Sequence, residues 1–585
     1  MSNPDSFRAD CDQILAVKSG LSESARFQSF LERAWRHKMV DNPEWATEIG
    51  YPGYDDRWTD LSAAAIERRK LEPEFQLKVL TSINRSGLNE VDRLSYDLMV
   101  RSLWEEQEQN QYPNELLPIN QMGGIQQDVP RLLAMSSLKT VRNGEDFLTR
   151  LERIPVLVDQ VIALCSEGIR RGVMPPKVCM TEVPNQIASQ VTEHLSEAAM
   201  LAALQAAPSQ NGQADFSRLK AQAERAYREV AVPAFKKLHR YVAETYLPAC
   251  RPGTSWAELP SGRAWYASLV RKHTSTAMTP DDIFETGQAE VARIRGKMME
   301  VIASSGFTGD FAAFCQYLRT DDRFYFSDGE ELLRTYRDIS KRVDPELTRF
   351  FGKLPRLPYG VIRIPAYAEK SQTTAYYQPG SPEAGRPGYF YANTYDLKSR
   401  PKWEMEALTL HEAVPGHHLQ IALSQEMEGL PEFRKHSWIT AYGEGWALYS
   451  EGLGEQMGFY ADPYAKFGQL TYEMWRAIRL VVDTAMHSKG WSRQQAIDFF
   501  QQNSSKPLHD IEVEIDRYIV WPGQALAYKI GELKIRELRT YAENKLAGQF
   551  DLRNFHDELL RHGCLPLDLL EARMKAWVDG KPSGN

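Results

Sequence analysis

Residues 408–418 read LTLHEAVPGHH, and this stretch determines how the rest of the chain is interpreted. It begins with apolar residues at helical spacing. Pro415 lacks the N–H that a helix would donate to the carbonyl four residues earlier, and Val414 is pushed out of the α region because it precedes proline. Gly416 tolerates dihedral angles that other residues avoid. We therefore predict a helix that bulges between residues 413 and 416.

The same stretch carries a possible metal site. A His-Glu pair followed by a further His is typical of HExxH zinc hydrolases, in which the histidines lie at i and i+4 and the Glu is the general base. Here the later histidine is His417 or His418, six or seven residues after His411. In a straight helix, i+6 points roughly 120° away and i+7 lies about 10.5 Å along the axis. The bulge would bring His417 to the i+4 position, with His418 as the alternative ligand and Glu412 as the base. A kinked core helix with satisfied histidines is the other interpretation.

A catalytic zinc that keeps one position for water needs a third protein ligand. The segment YGEGWALYSE (442–451) offers Glu444, between two glycines at the start of an apolar helical run, where a charge is costly without a partner. Glu451 returns to the same helix face and suits a role in orienting a ligand histidine. Glu444 could instead only cap a helix. Beside the histidine helix, we expect Glu444 to bind metal.

Two further clusters have polar residues that could serve this site. In the first, one side of a predicted helix carries Arg476, Arg479, Asp483 and His487. This side could be a wall of the cleft, where we select Arg479 to bind the substrate and Asp483 and His487 to steady the metal's surroundings. It could instead be a solvated face with an Arg479–Asp483 pair.

The second cluster runs from Lys506 and His509 to Arg517, Tyr518 and Tyr528. A Tyr hydroxyl or a His near a metal can stabilise the oxyanion of a tetrahedral intermediate. We predict that Arg517 and Tyr528 contact the substrate. From spacing alone, either cluster could be plain core.

Composition excludes several classes of protein. The chain has 585 residues, 43% of them hydrophobic and 25% charged, which is typical of soluble globular proteins with more than one domain. The net charge of −8 does not favour a nucleic-acid surface. The mean hydropathy is −0.47, and without a run of 18 apolar residues we expect no membrane span. The N-terminus does not read as a secretory signal, and six scattered cysteines suggest buried thiols in a reducing compartment, so we expect a cytoplasmic protein.

Most of the chain shows helical spacing, but residues 355–397 do not. Proline and glycine are dense there, and short β-rich runs alternate with turn residues. We predict a small sheet whose last strand leads into a helix starting near Lys402. The predicted strands are Gly360–Ile364, Thr373–Tyr377 and Tyr389–Tyr395.

Four motifs together resemble a known group. They are HEAVPGHHLQ (411–420), GEGWALYSEG (443–452), WRAIRLVVDTAMHSKGW (475–491) and RYIVWPGQALAYKIG (517–531). They look like the bacterial family catalogued as domain of unknown function 885, which is grouped with zinc peptidases of the gluzincin type. The resemblance is dense from about residue 259 to about residue 538.

The resemblance implies a role for each matching residue. The family pattern implies His411 and His417 as zinc ligands and Glu412 as general base. GEGWALYSE is similar to a segment of zinc aminopeptidases, which implies Glu444 as the third ligand. The stretch from Lys506 to Tyr518 is similar to angiotensin-converting-enzyme-type peptidases. That similarity implies oxyanion stabilisation by Tyr518 and His509 and binding of a substrate carboxylate by Lys506.

The combined prediction is a mainly α protein with two helical lobes, 1–270 and 271–585, around a deep cleft, and a small β-sheet beside the zinc helix. It would bind one zinc ion per chain and hydrolyse short peptides, in the manner of a carboxypeptidase, dipeptidase or oligopeptidase. The alternatives are a zinc hydrolase of a non-peptide amide or ester, and a metal-binding protein without turnover. We expect neither nucleic acid nor membrane as a partner.

Overall fold

The computed structural model describes residues 4–16, 21–206, 213–365, 369, 373–382 and 385–581. The chain divides into two units: Met1–Gly253 with Pro431–Phe433, and Thr254–Leu430 with Arg434–Asn585. Both units are mainly helical, which confirms the mainly α part of the expected fold.

The first unit is built from helices around buried apolar clusters. Its helices are α1 (Pro4–Ala16), α2 (Glu23–Asp41), α3 (Pro43–Ile49), α4 (Ala63–Thr81), α5 (Glu90–Gln109), α6 (Ile125–Met135), α7 (Val141–Glu152), α8 (Ile154–Arg171), α9 (Val183–Ala188), α10 (Ala202–Ala206), α11 (Gln213–Ala226), α12 (Val232–Tyr241) and α13 (Leu247–Ala249).

The predicted histidine helix and the polar clusters lie in the second part of the chain. From Thr254 onward the helices are α14 (Gly262–Thr274), α15 (Pro280–Ser304), α16 (Phe311–Thr320), α17 (Gly329–Val343), α18 (Leu347–Phe350), α19 (Met405–Glu412), α20 (His417–Gln425), α21 (Glu432–Lys435), α22 (Thr440–Leu453), α23 (Pro463–Ser488), α24 (Arg493–Asn503), α25 (Leu508–Val520), α26 (Ala527–Leu546), α27 (Leu552–Leu560) and α28 (Leu567–Asp579).

A three-stranded sheet forms where the sequence predicts one. It consists of β1 (Tyr359–Arg363), β2 (Ala375–Gln378) and β3 (Gly388–Ala392), in the order β1-β3-β2. β3 is parallel to β1 and antiparallel to β2. The third strand ends earlier than predicted, because the Asn393 side chain accepts the N–H of Tyr395 and turns the chain. β2 contacts α19, so the sheet lies beside the histidine helix as expected.

Glycines let α22 and α26 approach each other closely. A Cβ at Gly445 would lie 2.5 Å from the Cα of Gly531, and a Cβ at Gly531 would lie 1.8 Å from the carbonyl oxygen of Ala441. No side chain fits at either position. This crossing brings the first turns of both helices together, and α19 packs against α22 and α23.

A buried ion cluster joins α15, α23 and α26. The Nζ of Lys529 lies 2.9 Å from Glu290, 2.9 Å from Glu473 and 2.8 Å from Glu532. Lys529 is fully buried, so its charge depends on these carboxylates for compensation.

Two expectations from composition concern membranes and cysteines. Among the described helices, none is both long and apolar enough to cross a membrane. All six cysteines are buried.

Candidate metal centre

The histidine helix is interrupted over the residues that the sequence predicts. α19 ends at Glu412, residues 413–416 form turns, and α20 begins at His417. His411 and Glu412 therefore close one helix, and His417 opens the next. The extra residues are absorbed in the turn.

Gly416 is required at this turn. A Cβ at this position would lie 1.9 Å from the carbonyl oxygen of His411, well inside van der Waals contact. The indole Nε1 of Trp446 on α22 donates to the Pro415 carbonyl at 2.8 Å. This bond fixes the turn to the helix that carries the third candidate ligand.

Three candidate ligands meet at this point. The Oε2 atom of Glu444 lies 3.4 Å from Nε2 of His417 and 3.7 Å from Nε2 of His411. The two imidazole rings are nearly perpendicular, at 87°, with centroids 4.8 Å apart. All three residues are buried, and one ligand atom of each lies within 4.8 Å of the others.

These residues fit a single zinc ion. Zinc bonds of about 2.0–2.1 Å in a tetrahedral arrangement separate neighbouring ligand atoms by roughly 3.3 Å. The two separations measured from Glu444 are close to that value. Its Oε2 is buried and has no hydrogen-bond partner among the described residues, a costly arrangement that a cation would resolve. Mixed imidazole and carboxylate ligation also suits zinc.

Glu451 orients one of the imidazoles. Its Oε1 lies 2.8 Å from Nδ1 of His411, and Nη2 of Arg476 lies 3.6 Å from the same oxygen. Glu451 is fully buried. A proton on Nδ1 donated to this carboxylate directs Nε2 of His411 at Glu444, and loss of the Nε2 proton on metal binding would free the lone pair that a metal ligand requires.

Electrostatics at the centre favour a bound positive charge. Burial acts to lower the pKa of His411, but the contacts with Glu444 and Glu451 outweigh it and raise the pKa to about 9. Burial acts to raise the pKa of Glu444, yet the two imidazoles hold that pKa well below its usual value. The centre thus keeps a carboxylate and retains a cationic partner, which a metal ion can replace.

Glu412 follows His411 directly in the chain, and its charge contributes to the raised pKa of that imidazole. Glu412 is 8% exposed, and no hydrogen bond or ion pair to it is found within the described part of the chain. A carboxylate beside a ligand, with its acceptor capacity open, can take a proton from water.

His418 is occupied elsewhere. Its Nδ1 lies 2.8 Å from the hydroxyl of Tyr377 on β2, and its Nε2 lies 3.0 Å from the carbonyl of Leu357. Burial lowers the pKa of His418 to about 4, so the ring is neutral, donating to one partner and accepting from the other. Of the two histidines left open by the sequence, the structure brings His417 to the centre.

Tyr528 is the tyrosine next to a candidate ligand. Its ring lies almost parallel to that of His411, at 15°, with centroids 6.4 Å apart. Its hydroxyl accepts from Nη2 of Arg517 at 3.2 Å, and the guanidinium of Arg479 lies over its ring at 4.4 Å. The hydroxyl therefore keeps its own proton for a further acceptor.

Tyr518 and His509 are placed differently from the roles implied for them. The Tyr518 hydroxyl donates to Glu514 at 2.7 Å and accepts from Arg479 at 2.8 Å and from Trp475 at 2.9 Å. Its hydrogen-bonding capacity is filled. His509 is exposed in the first turn of α25.

Lys506 is buried in an ion pair. Its Nζ lies 2.5 Å from Glu404, and the rings of Tyr472 and Trp475 flank it at 5.1 and 5.0 Å. Its charge is already matched by a carboxylate of the chain.

Asp483 and His487 form hydrogen bonds that join helices to neighbouring segments. Among the described residues, neither is bonded to a candidate ligand. Asp483 accepts the hydroxyl of Tyr266 at 2.6 Å and the N–H of Gly523 at 3.1 Å. Burial raises the pKa of Asp483 to about 7 despite these two donors. Nε2 of His487 donates to the carbonyl of Tyr518 at 3.0 Å.

Trp438 is a neighbour of the centre that the sequence did not identify. Its ring centroid lies 5.7 Å from that of His417. No periodicity links it to the ligands, since it lies in the connection before α22. A tryptophan shortly before the GEGW motif was the available signal.

Comparisons with other proteins bear on this arrangement. A structure called a candidate lipoprotein, from Colwellia psychrerythraea, has a TM-score of 0.90 and 27% identity, covering 96% of this chain and 100% of that one. A second candidate lipoprotein of unknown function, from Shewanella oneidensis, has a TM-score of 0.66 and 17% identity, covering 95% and 100%, and shows the fold alone. No curated protein matches the chain.

A sequence family matches most of the length of the chain. The family described as bacterial protein of unknown function (DUF885) matches residues 43–574, which include all the candidate ligands. The chain therefore belongs to the bacterial family DUF885.

Proposed function

We propose that this protein is a zinc-dependent peptidase of the gluzincin type. The observation that supports it most is the buried Oε2 of Glu444, which lacks a hydrogen bond and faces the Nε2 atoms of His411 and His417. Glu412, which follows His411 directly and has no hydrogen bond or ion pair with any residue that the structure describes, is the second support, since a structural zinc site needs no base.

His411, His417 and Glu444 would hold the ion. A bound zinc would polarise the scissile carbonyl and acidify a water molecule. Glu412 takes the proton of the attacking water and returns it to the leaving amine. Glu451 keeps the His411 ring in the tautomer that directs Nε2 inward.

We assign stabilisation of the developing oxyanion to Tyr528 instead of Tyr518 or His509. The ring of Tyr528 lies beside His411, and its hydroxyl proton is not committed to Arg517, which is a donor. A hydroxyl aimed at developing negative charge is among the strongest catalytic contributions.

The guanidinium groups near Tyr528 are candidates for contact with substrate. Arg479 and Arg517 share a single carboxylate partner, Glu514, at 3.1 and 3.5 Å. They are better placed than Lys506, whose charge is matched by Glu404, to bind a carboxylate of a peptide. The deep cleft, and the preference for short peptides that follows from it, stay predictions.

The test is cleavage of a mixed-peptide library, read by mass spectrometry, with zinc-loaded wild type and the Glu412→Gln variant. We expect wild type to cut peptides, and Glu412→Gln to lose cleavage while retaining about one zinc per chain. A matched control is Glu406→Gln on the same helix, whose carboxylate accepts the N–H of Tyr460 and should remain active as an amide. Cleavage of acyl amides or esters but not peptides would overturn the peptide assignment, and an active Glu412→Gln would overturn the base.

We also propose a cytoplasmic location, on the basis of the cysteine pattern. The two similar structures are called candidate lipoproteins, which is the competing possibility. Fractionation of cells producing the protein, with detection in soluble and membrane fractions, distinguishes the two.

A further inference from the structure

A large aromatic side chain stands exposed beside the metal centre. Trp438 is 45% exposed, whereas His417, whose ring lies 5.7 Å away at a tilt of 58°, is buried. An indole is costly to leave in water, and its position next to a ligand is unlike that of an isolated surface residue.

The indole is held in place by the segment that carries the third ligand. A Cβ at Gly443 would lie 2.3 Å from Cη2 and 2.5 Å from Cζ3 of Trp438, so the ring lies directly on the backbone of α22 at this glycine. Gly443 immediately precedes Glu444. Trp438 therefore touches the first turn of α22 on one side and faces His417 on another, which leaves the rest of the ring exposed.

We propose that Trp438 forms a subsite that selects an apolar, preferably aromatic, side chain of the substrate next to the scissile bond. This inference rests on the proposed peptidase function. Consecutive Cα atoms of a peptide are 3.8 Å apart, so a side chain flanking a carbonyl at the metal centre reaches the neighbourhood of the Trp438 ring. The exposed indole offers it a rigid aromatic partner.

The test compares pairs of peptides that differ only by Phe or Ala on one side of the cleaved bond. With Trp438→Ala, we expect the ratio of kcat/KM between the Phe and Ala peptides to fall by about 3- to 10-fold, mainly through KM. Trp104→Ala on α5, which removes a tryptophan that is 62% exposed, should leave the ratio unchanged. Gly443→Ala, which displaces the ring without deleting it, should lower the ratio in the same direction.

A second readout does not depend on turnover. Calorimetric binding of the same peptides to zinc-loaded Glu412→Gln should favour the Phe peptide, and adding Trp438→Ala should remove that preference. If wild type cleaves peptides but the Phe-to-Ala ratio is unchanged in Trp438→Ala, the subsite is overturned and the peptidase proposal stands. If wild type cleaves no peptide and Glu412→Gln binds none, both proposals fail together.

Discussion

Replacing Gly416 by alanine perturbs the turn on which the proposed metal centre depends. The new Cβ would lie 1.9 Å from the carbonyl oxygen of His411 and 2.4 Å from that of Leu410. Because both obstacles are backbone atoms, the chain must move by about 1 Å to relieve the overlap. Metal–ligand distances tolerate only about 0.2 Å. Since His417 follows directly, we expect it to leave the ligand set.

The expected effect of Gly416→Ala is at least about 100-fold weaker zinc binding, the upper end of what loss of a supporting partner costs. Zinc content after dialysis and competition with a chromophoric chelator measure this. The matched control is Gly296→Ala, because a Cβ there meets nothing within 4 Å. It should bind zinc normally and gain roughly 0.5–1 kcal/mol in stability from its helical position. If Gly416→Ala is folded by circular dichroism and binds zinc as tightly as wild type, this turn does not hold His417 in the ligand set.

Three further variants test other parts of the account. Tyr528→Phe should lower kcat by about 100-fold with little change in KM, whereas Tyr518→Phe should lower kcat by less than about tenfold. Equal losses of kcat in steady-state kinetics would contradict the assignment of Tyr528 as the oxyanion-stabilising residue. Lys529→Met should destabilise the fold by about 3–5 kcal/mol in urea denaturation, because it removes the fully buried cation between Glu290, Glu473 and Glu532. Arg293 and Arg536 remain as partners of these carboxylates, and a loss below about 1 kcal/mol would show that the two arginines alone compensate them. The raised pKa of Asp483, about 7, means that the folded state holds a proton that the unfolded state releases near pH 4, so this group's stabilisation is lost as pH rises through that window. As pH rises from 4 to 7, the unfolding free energy of Asp483→Asn should therefore increase relative to that of wild type, by up to roughly 4 kcal/mol. Parallel pH profiles of the two proteins in thermal unfolding would contradict this.

Local rules were sufficient where one residue type dictates the backbone. Pro415 and Gly416 predicted the interruption of the histidine helix, because a missing N–H and a missing Cβ have the same consequences in any fold. The β-rich runs between turn residues predicted the strands near residues 360, 375 and 390. The strand order β1-β3-β2 was not predictable, since pairing depends on contacts between segments far apart in sequence.

The candidate site shows the same division. Glu444 was predicted from the cost of an unpartnered charge in an apolar helix, and Glu451 from its return to the same helix face; both arguments are local. Which of the two tyrosines, Tyr518 or Tyr528, lies beside His411 could not be predicted from neighbouring residues. Both lie on consecutive helices, in similar local sequence. The approach of α26 to α22 at Gly445 decides which ring reaches His411. Trp438 was missed because it lies in the connection before α22, where no periodicity links it to the candidate ligands.

The most direct measurement is X-ray diffraction from crystals of the zinc-loaded protein, with anomalous data collected at the zinc absorption edge. We expect one anomalous peak about 2.0–2.2 Å from Nε2 of His411, Nε2 of His417 and a carboxylate oxygen of Glu444. A peak at His418 instead would contradict this ligand set. So would a zinc peak elsewhere in the protein with none at these three side chains.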